Sequence, residues 1–432
     1  MERPAMPPVP PPPPRTPAAS EHTPAPSGHT SAATPHTPAA SPLTAYSLDE
    51  LRTRHSIKWR EFPPDVLPMH IAETDTPPAA PVAEALARAV ARGDTGYATT
   101  GRLPETFADF AARRFGWRPD PASMRLVPDV MVGIAEVLRV VTEPGDRVLF
   151  HSPGYPPYYS WLPRIGRRVV TSPLAAGDHG HRLDLDRLER DFASGVRAFL
   201  LCNPHNPTGV AFPEEDLTAV ADLATRHGVQ VISDEIHAPL VHAGARHVPF
   251  PSLDSPAAAS SVALHSASKA WNLAGLKAAL VVPGPDARAV GAAIHDEVEV
   301  GAGLLGVLAA EAAFAHAEPW LDGLLPALDG NRRLLAALLD EHLPAARHHL
   351  PQAGYLTWID CRPLRLPGDP ARLFLDHGRV GLTPGPRFAP EGDPDQVGRG
   401  FVRFNFATRP DLLTEAVRRM AATVRDLAPR TS

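Results

Sequence analysis

Lysine occurs three times in 432 residues, at Lys58, Lys269 and Lys277, and the other 39 basic side chains (42 − 3) are arginines. A chain that takes its positive charge from arginine needs a chemical reason to place lysine in the apolar run VALHSASKAWNLAGLK, residues 262–277. A desolvated amine loses its proton and can attack a carbonyl carbon, which a guanidinium does not do. Lys269 is therefore a candidate to form an imine with an aldehyde cofactor. If that cofactor is a pyridine, its nitrogen must stay protonated to draw electrons from a substrate carbon, and a buried carboxylate favours that cation. Asp234, closing VISD, is the candidate, and Asn206 in NPTG can donate to a ring phenolate. A phosphate needs donors at a turn or helix start. Ser266 and Ser268 offer hydroxyls and Lys277 offers charge, while Tyr155 in SPGYPPY can cover a ring face. An amino-acid substrate needs a bidentate clamp on its carboxylate, and Arg403 in GFVRFNFA suits it.

Each fragment also has a plainer reading. NPTG is a good turn, Asp234 a good helix cap, Arg403 one more surface cation, and Tyr155 an ordinary core residue. Order, spacing and placement together favour the constellation. The elements that must position these residues read as strands alternating with helices. Helical spacing marks 80–93, 104–117 and 213–228, the last with acids at its start and Gly228 at its end. DRVLFHS, VRAFLLC, VQVISDE and SVALH read as strands, with SPGYPPYY as a turn and helices returning after SASK. This pattern predicts an α/β fold with a doubly wound, mostly parallel sheet, whose ligands gather beyond the carboxyl ends of its strands. Asn206, Asp234 and the Ser266–Lys269 segment all follow strands.

From about Trp320 a long helix, two short strands (AGYLTWIDC and GFVRFNFA) and a final helix predict a smaller α+β domain. The expected organisation is a Pro/Ala-rich tail over 1–45, an arm over 46–80 that contributes to the small domain, a large domain over 81–319 and a small one over 320–432. The tail has almost no large apolar side chains and cannot offset its ordering entropy, so it reads as disordered. A net charge of −6 with no long basic stripe argues against nucleic acid. No apolar run reaches the roughly 20 residues that span a bilayer. Cys202 and Cys361 make no disulfide framework and sit in no CxxC, which points to a reduced cytoplasmic setting.

NPHNPTG, SDEIH, SASKAWNLAGLK and FVRFNFA, in that order, resemble the aspartate-aminotransferase superfamily of pyridoxal-phosphate enzymes, fold type I. SIKWREFPPDVLPMHIAETDTP, GDTGYATTG and GYLTWIDCRPL are similar to its cystathionine β-lyase and cysteine-S-conjugate β-lyase branch. The resemblance implies pyridoxal 5'-phosphate as cofactor, with Lys269 as its Schiff-base lysine, Asp234 as pyridinium partner, Asn206 as phenolate donor and Arg403 as substrate clamp. It implies a homodimer with shared sites, in which Tyr97 reaches the phosphate of the neighbouring subunit. His237 stands three residues after the aspartate, where aminotransferases carry tyrosine and this branch often has histidine. Lys277 replaces an arginine at the phosphate. Asp129 in VPDVMVG replaces a glycine and is expected to turn away, leaving the amides near Val130 and Met131 to bind the phosphate. The implied reaction is β-elimination from a cysteine thioether to thiol, pyruvate and ammonia, with transamination as the alternative from the same intermediate.

Two other site classes are weaker. GAGLLG (301–306) fits a dinucleotide fingerprint, but no apolar strand precedes it, and it reads better as the small-residue start of a closely packed helix. His179 with His181, and His348 with His349, lack metal-ligand spacing, so no metal site is expected.

Overall fold

The computed structural model describes residues 41–177, 180–394 and 396–427. In chain order a short strand β1 (Leu67–Pro68) precedes β2 (Arg125–Val127), β3 (Arg147–Ser152), β4 (Arg168–Pro173), β5 (Ala198–Cys202), β6 (Gln230–Asp234), β7 (Val262–His265) and β8 (Ala279–Pro283). Then come β9 (Leu356–Asp360), β10 (Val380–Gly381), β11 (Thr383–Pro384) and β12 (Phe401–Asn405). The central sheet has seven strands in the order β2-β8-β7-β6-β5-β3-β4. Neighbours from β7 through β4 pair in parallel, and β8 runs antiparallel to both β7 and β2. Its inner strands are buried along their length, as AFLLC and VALH are, because helices cover both faces of a parallel sheet.

The helices sit close to where the sequence places them. They run Ala80–Ala91, Leu103–Phe115 and Glu214–His227. Glu214, Glu215 and Asp216 face the positive end of the last one, and Gly228 closes it in a left-handed conformation (φ 63°). PPYY and the run after SASK differ from expectation, and VMVG, for which the sequence predicts no element, is helical. The PPYY stretch opens a helix, Pro156–Arg164, because proline fits the first helical turn, where no N–H partner is needed. VMVG lies inside a helix, Val130–Val141, that Asp129 caps. Between SASK and the later helices β8 intervenes, a fully buried run that hydropathy alone does not separate from a helix.

β9, β11 and β12 form a second, antiparallel sheet, and β1 pairs with β10. The arm is thus stitched to the C-terminal part. One apolar cluster runs from Leu43 and Leu51 through Phe107, Phe110 and Trp271 to Leu413 and Met420. The sheets change between β8 and β9, yet packing continues across that interval, and the described residues lie in one compact unit. Within the expected tail, Pro42–Thr44 forms a single helical turn and Leu43 is buried in this cluster. The rest of the predicted tail, 1–40, lies outside the described residues, as does His179.

The helix Leu304–His316 starts at GAGLLG, as its small residues suggest. Gly303 donates to the Lys277 carbonyl, and Gly306 faces the Leu276 carbonyl too closely to admit a methyl group. Gly306→Ala must therefore displace the segment that carries Lys277, and is expected to cost about 1–3 kcal/mol. Gly323→Ala, in the helix Glu318–His342 with open space around it, is expected to gain up to about 1 kcal/mol. Denaturant midpoints of the two variants check this contrast.

Candidate active site

Four parallel strands end at one crevice. β3 delivers Tyr155, β5 delivers Asn206, β6 ends in Asp234 and β7 leads into Ser266, Ser268 and Lys269. All of them border a single cavity of about 250 Å³. His237, Val130, Met131 and Lys277 border it too. Arg403 is not on the cavity wall. It lies behind Asn206, donating to Asn206 Oδ1 at 3.0 Å, to the His70 carbonyl at 2.8 Å and to Thr383 Oγ1 at 3.3 Å. This orients the Asn206 amide so that its Nδ2 is the group left to donate. Tyr97 lies apart, 85% exposed, with its backbone bridged to Gly303.

The electrostatics are unusual in what they lack. Among the described residues neither Lys269 nor Arg403 has a carboxylate within ion-pair distance, and Asp234 has no cation. Lys269 Nζ donates to the Ala72 carbonyl at 3.0 Å. Burial, with Arg403 adding to it, brings its pKa down to about 8. Burial also lowers Arg403 to about 10. Asp234 accepts from the Tyr158 hydroxyl at 2.5 Å and the Ile236 amide at 3.2 Å. Burial outweighs these bonds and raises it to about 6. His237 is buried, its Nδ1 has no partner, and burial lowers it to about 3, so it is neutral at ordinary pH.

A strap of backbone, His70–Thr76, holds this arrangement. Its successive carbonyls accept from Arg403 (His70), Asn405 (Ile71 and Glu73), Lys269 and the Tyr355 hydroxyl (Ala72), and Asn272 (Thr74). The strap is anchored by a buried pair, Lys58 Nζ to Asp75 Oδ2 at 2.8 Å, both 1% exposed, with Trp59 Nε1 on the other oxygen at 2.8 Å.

Sequence reasoning missed Tyr158, Tyr355 and the strap. Tyr158 had a signal: once PPYY is helical, Tyr155 and Tyr158 are three apart on one face, and their rings meet at 5.3 Å. Asn405 had one too, sharing a face with Arg403 two residues earlier on β12. The expectation for Asp129 needs correction, and Ser266, which borders the cavity as expected, also serves the protein backbone. The Ser266 hydroxyl is committed to the protein, donating to the Ala278 carbonyl at 2.7 Å and accepting from the Ser268 amide at 3.1 Å. Asp129 does not turn away. It borders the cavity, with one oxygen on the Val132 amide and the other 2.9 Å from Lys277 Nζ.

The cavity fits pyridoxal phosphate in the kind of group it offers. Asp234 is a buried carboxylate in want of a cation, Lys269 a buried amine near neutrality, and Asn206 a free amide donor. At the other end are the Val130 helix start, Ser268 and Lys277. No cluster of metal-ligating side chains is found among the described residues, and none of their helices is long and apolar enough to cross a membrane. Cys202 and Cys361 are free and buried.

Comparison with known proteins agrees on the fold. The family model described as aminotransferase class I and II matches residues 65–420. A Mycobacterium tuberculosis protein that provisionally bears the name cystathionine beta-lyase is 45% identical over 409 residues, covering 88% of this chain and 98% of its own. The cystathionine beta-lyase of Corynebacterium glutamicum is 34% identical, covering 87% and 99%. A crystal structure from Corynebacterium diphtheriae, described provisionally as a PLP-dependent beta-cystathionase, superposes with a TM-score of 0.82 at 34% identity, covering 88% and 98%.

The raised pKa of Asp234 has a measurable sign. Below about pH 4 the carboxyl is protonated in both folded and unfolded chains. Between about pH 4 and 6 the unfolded chain loses the proton that the folded one keeps, so stability falls as pH rises. In cofactor-free protein, Asp234→Asn should lack this component. Relative to the parent, it should gain about 2–3 kcal/mol between pH 4 and 7. Denaturation series at each pH measure the difference, and a flat difference would show that Asp234 titrates normally.

Proposed function

The chain belongs to the class I and II aminotransferase family, and we propose that it is a pyridoxal-phosphate-dependent carbon–sulfur β-lyase. It would take L-cystathionine or another cysteine S-conjugate and release a thiol, pyruvate and ammonia. One observation carries the reading: Asp234 and Lys269 on the cavity wall, and Arg403 buried directly behind Asn206, have no counter-charge among the described residues. Burying a charge without a partner is expensive, so such groups point to ligands that complete them. A pyridinium completes Asp234, an aldehyde takes the Lys269 amine and a substrate carboxylate completes Arg403.

When bound, the cofactor supplies an electron-withdrawing ring that stabilises negative charge at the substrate Cα. The protein supplies the rest. Asp234, fixed by Tyr158, keeps positive charge on the ring nitrogen. Arg403 holds the substrate carboxylate, and its bond to Asn206 ties that clamp to the ring. The Ala72 carbonyl keeps the free Lys269 amine at the cavity edge. With its pKa at about 8, that amine is well matched to accept the Cα proton near neutral pH. The neutral His237 crowds the same wall without adding charge. The reading includes a homodimer in which the partner's Tyr97 completes the phosphate end. The exposure of this aromatic ring supports an interface there.

The deciding assay gives purified holoprotein L-cystathionine with no 2-oxoacid present. Pyruvate and free thiol in equal amounts are expected, whereas strict dependence on a 2-oxoacid would make the protein an aminotransferase. Lys269→Ala should abolish the long-wavelength absorbance of bound cofactor and lower turnover by about a thousandfold or more. Arg403→Met should raise KM for the amino acid far more than it weakens cofactor binding.

A further inference from the structure

Asp129 and Lys277 meet at the end of the cavity where the helix Val130–Val141 begins. The Asp129 carboxylate does there what a bound anion would do. One oxygen accepts from the Val132 amide at 2.9 Å, and the other lies 2.9 Å from Lys277 Nζ. It thereby satisfies an unpaired helix N–H, offsets the positive end of the helix and neutralises the nearest ammonium. Lys277 is held for this contact. Its backbone is left-handed (φ 62°), and its carbonyl accepts from Gly303 at 2.8 Å. Ser266, one of the two serines at this end, has its hydroxyl bonded to the protein backbone, which leaves Ser268 as the serine donor. Two of the features that would attract a phosphate, the ammonium and the helix start, are thus already engaged by a side chain of the protein itself.

We infer that Asp129 is a built-in competitor of the cofactor phosphate, lowering the hold of this end of the cavity so that cofactor exchanges readily. The inference rests on the function proposed above. A phosphate that enters must draw Lys277 away from Asp129 or sit beside a carboxylate of like charge. Both side chains are partly open to water, 34% for Asp129 and 55% for Lys277, so screening keeps the effect modest.

Asp129→Asn isolates the charge, because the asparagine oxygen can still cap the helix. Binding to cofactor-free protein would be measured with three probes: pyridoxal phosphate, pyridoxal without phosphate, and inorganic phosphate. The variant is expected to bind pyridoxal phosphate and inorganic phosphate about three- to tenfold more tightly than the parent. Pyridoxal affinity should not change. Lys277→Met should weaken both phosphate-bearing probes and again leave pyridoxal unaffected. Unchanged or weaker phosphate binding by Asp129→Asn overturns the inference, as does an equal gain for pyridoxal, which would locate the effect at the ring. If the parent develops no cofactor absorbance while Asp129→Asn still gains affinity for inorganic phosphate, the inference stands and the functional reading falls.

Discussion

An ammonium group can be held in a protein interior without a carboxylate only if something else takes its hydrogen bonds and something outside the chain needs its reactivity. Lys269 meets the first condition through one backbone carbonyl, that of Ala72. A carbonyl stabilises the proton less than a carboxylate would, so burial wins and the amine is brought towards neutrality. Had Asp234 been within bonding distance of Lys269, each would have satisfied the other, and the amine would have remained a cation. The chemistry depends on keeping the two out of bonding distance: Asp234 ends β6 held by Tyr158, whereas Lys269 lies four residues past the end of β7 and reaches the Ala72 carbonyl.

The strap His70–Thr76 turns that local condition into a property of the whole fold. It precedes the central sheet in sequence, yet its carbonyls reach side chains from both halves of the molecule: Lys269 and Asn272 from one, Tyr355, Arg403 and Asn405 from the other. Its own anchor is the buried Lys58–Asp75 pair. Removing one partner of such a pair leaves an uncompensated charge, whereas the intact pair adds little net stability. Its value is in fixing register, and register is what the strap needs, since each successive carbonyl has a different partner. The β1–β10 pairing secures the strap's leading end by ordinary backbone bonds.

Strand-end logic made the central residues legible from sequence. Asn206, Asp234 and Lys269 each follow an apolar run, and parallel topology brings the ends of such runs together whatever their separation in the chain. β2 was not legible because three residues show no period, and β8 because its buried run lies in a small-residue, apolar stretch that hydropathy does not separate from a helix. The strap was invisible for a deeper reason. Its contribution is made by main-chain oxygens, which every residue carries, so HIAETDT gives no sign in side-chain chemistry of what its carbonyls do. Asp129 was misread for a related cause. Viewed as a charge near an anion it should turn away, but viewed as a helix cap it must face the amides, and the capping bond decides its direction.

The economy of lysine now has a structural account. Each of the three occupies a place where a compact, rotatable ammonium serves and a planar fork would not. Lys58 fits a space closed to solvent and reaches both the Asp75 carboxylate and the Glu73 carbonyl. Lys269 needs a pKa that burial can move into the working range, which arginine resists. On the competition proposed above, Lys277 would share one cation between the Asp129 carboxylate and a phosphate, and a point charge on a flexible stem can swing between them. An arginine there, able to bind both anions at once with separate N–H groups, would remove the competition that Asp129 sets up.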